Sequence, residues 1–259
     1  MIEVGLFVFP ALSQYQNFII MKTLIKFFPI LLLAFTSCAV PQMMLNQELE
    51  QNAAAWDVKG KQGWVFNQKI SFGPYATGKV YRGWTKSYDV PFFVRFRGSK
   101  EKFHFEQKGP EGSLMVHTVQ SLKAKEIDFL KGYFSIPLDF KDAFSGTIGT
   151  EKDPAKWTFV VNNPNDQYFG ETSEGYLSNG NELYKIHEVR QNSKKRDTKW
   201  GLIFGYEVFR NGKVIAGIET INNGRVWIDK NLNEEETQVL AAFAAALLLR
   251  SELDLDSKN

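Results

Sequence analysis

Cysteine is almost absent: Cys38 is the only one in 259 residues. No intramolecular disulfide can form. Histidine is scarce too, and His104, His117 and His187 lie far apart in the sequence. They make no H-x-H or H-E-x-x-H pattern, so no metal site is assigned and strand-face positions are expected for all three. An excess of charge is also missing. The formal net charge of +2 gives no broad field for nucleic acid or an anionic surface. No apolar run reaches the roughly 20 residues that a membrane-spanning helix needs. A G-x-S-x-G elbow and a glycine-rich phosphate loop opening a helix are both lacking. No catalytic residue and no cofactor are therefore assigned.

Aromatic residues, in contrast, are plentiful: they make up 14% of the chain, with 22 Phe. Rings suit pleated, half-buried surfaces and favour strands. The N-terminal part has a different character. From Met21 the chain reads MKTLIKFFPILLLAFTSC, with basic Lys22 and Lys26, an apolar core over Phe27–Phe35, and small Thr36 and Ser37 before Cys38. This is the layout of a secretory signal. Translation is expected to start at Met21, because a start at Met1 makes the signal too long and puts acidic Glu3 near its head. Residues 1–20 are then a mis-assigned upstream segment. Phe35, Thr36, Ser37 and Cys38 resemble the lipobox of bacterial lipoproteins, although Phe35 stands where Leu is usual. The resemblance implies cleavage between Ser37 and Cys38, acyl chains such as palmitate on Cys38, and a mature chain that starts there. Ala39 after the cysteine, in place of the Asp of inner-membrane retention, favours the outer membrane of a Gram-negative envelope. Residues 38–55 read as the lipidated N-terminus and a tether, and residues 56–259 as the domain.

From Trp56 onward short strand-like runs alternate with turns. Val94, Phe96, Phe103 and Phe105 alternate with polar residues around Gly98–Glu101, which predicts a hairpin. Asn211-Gly212 between Ile203–Phe209 and Lys213–Glu219 predicts another, since a type I′ turn needs positive φ at both positions. Asn223-Gly224 leads into a third strand at Arg225–Asp229. Further strands are expected at Trp64–Phe72, Gly78–Trp84, Leu114–Ser121, Tyr133–Leu138, Trp157–Val161 and Glu182–Arg190. Such spacing points to a sandwich or barrel. Asn192–Lys199 reads as a solvated basic loop.

The chain then changes period. Asn233 with Glu236 three residues later forms a capping-box pattern, and Val239–Leu249 (VLAAFAAALLL) contains no polar residue. A helix apolar on every face must be enclosed. At about 16 Å it is too short to cross a bilayer. The expectation is an all-β antiparallel barrel of roughly twelve strands around this helix. The alternative is a helix between an open sheet and a partner subunit. GYEVFRNGKVIAGIE, then RVWID, then the apolar helix resemble the tubby-like superfamily, which includes the phospholipid scramblases and the LURP-one-related proteins. The resemblance is carried by pattern and order over Gly201–Leu253. It implies a twelve-stranded barrel threaded by a hydrophobic C-terminal helix. Some members bind phosphoinositides, but the basic site that does so has no counterpart motif here.

Two weaker patterns remain. Glu126-Ile127-Asp128 resembles the opening of the E-x-D-x-E stretch of laminarinase-like glycoside hydrolases. Leu130 and Lys131 stand where the second glutamate belongs, and a retaining mechanism needs both carboxyl groups. Trp56, Trp64, Trp84, Trp157, Trp200 and Trp227 are candidates for a stacking platform, with core and rim packing as the plainer expectation. The function expected is a lipid-anchored, non-catalytic binding or scaffold domain for a lipid, glycan or protein partner. An envelope enzyme with scattered catalytic residues is the alternative.

Overall fold

A computed structural model describes residues 41–62, 67–83, 94–96, 99–121, 124–129, 134–136, 143–162, 174–194 and 203–250. The segment expected to be a signal, with Ser37 and Cys38, lies outside them. The described residues open with helix α1 (Gln47–Asn52) and then β1 (Ala53–Asp57), β2 (Ser71–Phe72), β3 (Tyr75–Thr77), β4 (Tyr81–Arg82) and β5 (Val94–Phe96). The long pair β6 (Ser99–Gly109) and β7 (Gly112–Ser121) follows, with β8 (Ala124–Phe129) and β9 (Phe134–Ile136). Next come β10 (Ala143–Gly149), β11 (Trp157–Asn162), β12 (Glu174–Ser178) and β13 (Leu183–Val189). The last strands are β14 (Gly205–Arg210), β15 (Lys213–Glu219) and β16 (Arg225–Asp229), before helix α2 (Glu234–Leu249).

Neighbours in the main sheet run β1-β16-β15-β14-β13-β12-β11-β10-β7-β6-β3-β2, with β4 also on β6. Every pair is antiparallel. Just past β1, Lys59 and Ser71 exchange two backbone hydrogen bonds of 2.9 and 3.1 Å. That bridge brings the two ends of the path together, so the sheet is a nearly closed barrel. The strands show the period of two that a one-sided interior demands. In β6, Phe103 and Phe105 are buried while Lys102, His104 and Glu106 are partly exposed. Asn211 and Gly212 have φ of 51° and 81°, the left-handed pair expected for the turn between β14 and β15.

One predicted pairing fails. Val94–Phe96 pairs with β8, in a separate three-stranded sheet with β9, and not with the Phe103–Phe105 strand. Alternation specifies which face a residue takes but not which strand lies beside it. Both edges of β6 are already occupied, one by β7 and the other by β3 and β4.

Helix α2 lies inside the barrel. Val239–Leu249 are each 3% exposed or less within the single chain, so no partner subunit is needed to cover them. Their neighbours come from around the barrel, with Tyr75, Phe105, Phe159, Ile186, Val208 and Ile228 in one continuous core. Phe243 meets Phe159 edge to face at 5.2 Å between ring centres. The alanines let the surrounding strands approach. The helix ends carry the polar groups. The Asn233 side chain accepts from Glu236 N at 2.8 Å, and Glu236 Oε2 accepts from Asn233 N at 3.3 Å, completing the capping box. Glu236 also accepts from Tyr184 Oη at 2.7 Å and from Arg210. At the other end Arg82 donates to Leu249 O at 2.8 Å and Arg250 donates to Tyr206 Oη at 3.3 Å. Cations there offset the negative end of the helix dipole. Among the described residues no helix is long and apolar enough to cross a membrane.

The folded unit begins at Gln42, earlier than the Trp56 boundary read from the sequence. Ser193 N donates to Gln42 O at 2.8 Å, and Met44 N to Gln191 O at 2.9 Å. Asn46 caps α1 by accepting from Glu48 N at 2.9 Å. Met43, Leu49 and Ala53 then pack with Phe204, Val214 and Trp227 in a second core on the outer face of β14–β16. A Cβ on Gly217 would sit 2.7 Å from the Leu45 side chain, so glycine makes room for this strap. The stretch read as a tether offers only isolated apolar residues and an Ala-rich strand, and neither carries a period that sequence reading detects.

Candidate binding groove

Because α2 fills the interior, side chains that can meet a ligand lie on the outer face. One row of that face is built by strand register. Tyr81 of β4 is opposite His104 of β6, His104 opposite His117 of β7, and His117 opposite Thr147 of β10. The rings follow the register. Tyr81 stacks on His104 at 5.0 Å with planes 10° apart, and His104 on His117 at 5.6 Å and 21°. The stack deepens inward: Tyr81 is 48% exposed, His104 half-buried and His117 only 8% exposed. Tyr81 is the exposed large hydrophobic side chain among the described residues.

Around this stack lies a groove of about 790 Å³. Lys79, Tyr81, His104 and Glu106 line one part of it, and Glu151 and Lys152, from the turn after β10, another. Ser113, Met115 and Thr150 also face it. The turn is held by Thr150 N donating to Asp153 O at 3.0 Å and by Asp153 N donating to Thr150 Oγ1 at 3.2 Å. Gly78 N, donating to Glu106 O at 2.7 Å, fixes the approach to β4. Lys79 Nζ stands 5.2 Å from the Tyr81 ring centre. Glu106 Oε2 is 3.7 Å from Lys108 Nζ, an exposed pair that contributes little to stability.

Burial pushes the His117 pKa down to about 4, and neighbouring His104 adds to the shift. Burial lowers His104 as well. Both rings are therefore neutral near pH 7, and the charged residues of the groove are two ammonium groups and two carboxylates. A general base works best with a pKa near the operating pH, so His117 is poorly tuned for that role.

The sequence had separated the histidines. The structure pairs two of them, because His104 and His117 are equidistant from the Gly109–Gly112 turn. That signal was legible: Gly109-Pro110-Glu111-Gly112 is a turn sequence, and counting outward from it pairs the two rings. His187 lies elsewhere, on β13, with its ring 4.5 Å from Phe209. Glu126 and Asp128 fall on β8, whose side chains are outside the described residues, as are Leu130 and Lys131. Among the described residues no group of three or more His, Cys, Asp and Glu gathers around a metal-sized site. Trp157 packs on Tyr184, Trp227 in the second core and Trp56 against Tyr75. Trp64, Trp84 and Trp200 are outside the described residues. The exposed platform is thus Tyr81, a residue not singled out in the sequence. Of the basic loop Asn192–Lys199, only Asn192–Lys194 is described; Asn192 bridges to Met43.

No protein-family model matches the chain, and comparison with curated proteins and with solved structures finds no match.

Proposed function

We propose that this chain is a lipid-anchored envelope protein whose barrel binds a ligand on its outer face without chemically altering it. The observation that carries the reading is the filled interior. A barrel lumen can hold a small ligand, and here that space holds α2. Binding then falls to the outer strands and loops, where the Tyr81 groove has the size of a small-molecule site. The lipid anchor rests on the signal-like segment ending at Cys38, the lone cysteine. The tubby-like reading is supported by the order of elements, a strand series followed by an enclosed hydrophobic helix. The ligand class is a lipid, glycan or protein of the envelope.

Two or more acyl chains hold a protein firmly at a membrane. The native protein is expected to enter the detergent phase on Triton X-114 partition, and Cys38→Ser to stay in the aqueous phase. Equal partition of both into detergent would refute the anchor. For binding, native and Tyr81→Ala proteins are each used to capture envelope lipids, glycans and proteins, with mass spectrometry as the readout. A ligand enriched on the native protein and lost on Tyr81→Ala is expected; identical captures would count against the groove.

A second reading is an envelope enzyme, favoured by His104 and Glu106 sharing the groove with Glu151. It requires turnover of an envelope glycan or lipid that His104→Ala or Glu106→Gln abolishes.

A further inference from the structure

We propose that the Tyr81 groove takes a neutral, polyhydroxylated ring, that is, a glycan unit seated flat on Tyr81. This rests on the reading of the groove as a binding site and names its ligand class.

The first argument is the platform. An exposed tyrosine on a flexible surface would lose side-chain freedom on binding. Tyr81 is exposed yet already held, stacked on His104, which is stacked on His117. The ordering cost is therefore met before a ligand arrives. An aromatic face offers a flat apolar surface that suits the C–H face of a sugar.

The second argument is charge. Lys79 and Lys152 balance Glu106 and Glu151, and the two imidazoles are uncharged near neutral pH. A groove for phosphate or a polyanion would carry a cationic excess. A groove for an acyl chain would not place four ionic groups along its walls, because each would lose hydration against hydrocarbon. Polyhydroxylated rings suit this mixture: carboxylates accept from hydroxyls, and ammonium groups donate to them. The Ser113 and Thr150 hydroxyls add groups that both donate and accept. Lys79 Nζ lies over the Tyr81 ring, 5.2 Å from its centroid, so a sugar seated on Tyr81 displaces this ammonium to its own rim, where it donates to the hydroxyls. The third argument is size: about 790 Å³ falls within the range of small-molecule sites.

The test uses the full mature chain in detergent and titration calorimetry with three probe sets. These are neutral oligosaccharides (gluco-, manno-, galacto- and N-acetylglucosamine-based), inorganic phosphate with a sulfated polysaccharide, and vesicles of phosphatidylethanolamine and phosphatidylglycerol. At least one neutral oligosaccharide should bind. Tyr81→Ala should weaken it roughly tenfold, Tyr81→Trp should preserve it, and Glu106→Gln should weaken it. Thermal melts of each variant establish that it is folded. Neutral-sugar binding unaffected by Tyr81→Ala in a folded protein would overturn the proposal. So would failure of every neutral sugar to bind. If phosphate or vesicles then bind in a Tyr81-dependent way, the groove stands as a binding site and only the ligand class fails. If none of the three sets binds, the glycan proposal fails and the capture experiment judges the broader reading separately.

Discussion

His117 refuses a proton that the unfolded chain accepts. Its pKa is about 4 in the fold, against about 6.5 for an ordinary histidine. Between those values the unfolded state binds more protons, so stability falls as pH drops from about 6.5 to about 4 and is fully retained above 6.5. The His104 shift acts in the same direction. Glu207 and Glu219, both raised by burial, act oppositely, since the fold favours their protonated forms; a comparison of variants separates the two effects. The stability gap between the native protein and His117→Gln should change by about 1–2 kcal/mol between pH 7 and pH 4. That is below the full linkage value, because part of the ring still meets water. Urea melts at several pH values give this number, and a gap independent of pH would contradict the assignment. Single residues were otherwise poorly legible in the sequence. Nothing local marks Tyr81 as a platform, since its exposure is set by β4, a two-residue strand on the edge of β6.

Elements were read well where one physical signal dominated. The polar-free helix, its capping box and the Asn-Gly turn each follow from local chemistry, and each is present. Elements without a period escaped notice. All seven residues of β10 are buried, and Ala143, Gly146 and Gly149 dilute the pattern, so AFSGTIG shows only a faint alternation. Ser145 and Thr147 are buried on one face, while Phe144 and Ile148 are in the core on the other. The partner of β5 was misjudged because pairing depends on strands distant in sequence. Helix α2 gives two graded tests. Asn233→Ala removes the acceptor for Glu236 N and should cost about 1 kcal/mol in denaturant melts. Phe243→Asp places an unpaired charge at a fully buried position, which costs several kcal/mol. The expected outcome is an unfolded or insoluble chain, and a cooperative melt of a soluble variant would show that the helix leaves the barrel. If only the cap mattered, Asn233→Ala would destabilise the chain and Phe243→Asp would not.

For the molecule as a whole, barrel closure depends on residues near both ends of the described chain. β1 pairs with β16, and the strap of Met43, Leu49 and Ala53 covers the outer side of β14–β16. Deleting residues 42–55 should therefore destabilise the barrel far more than loss of a tether would. Burying each large apolar side chain contributes about 2 kcal/mol, and the β1 hydrogen bonds are lost as well. The expected result is a fall of 10 °C or more in thermal midpoint, or aggregation, on the order of what a loss of several kcal/mol gives. An unchanged midpoint would mean that the strap is dispensable. The fold class was legible because a helix with no polar face needs a container, and a strand-rich chain can supply one. The strap over β14–β16 was not, because its apolar residues follow no period. The position of α2 also bears on synthesis. The element that fills the interior is the last described one to leave the ribosome, and β1, the first described strand, must wait for β16. A nascent chain holding every strand but lacking those final turns has a hollow where its core belongs. Folding is thus deferred until α2 has been released, and many non-local pairings make it slow once it starts. During that interval the chain is unfolded and open to whatever machinery handles unfolded polypeptides.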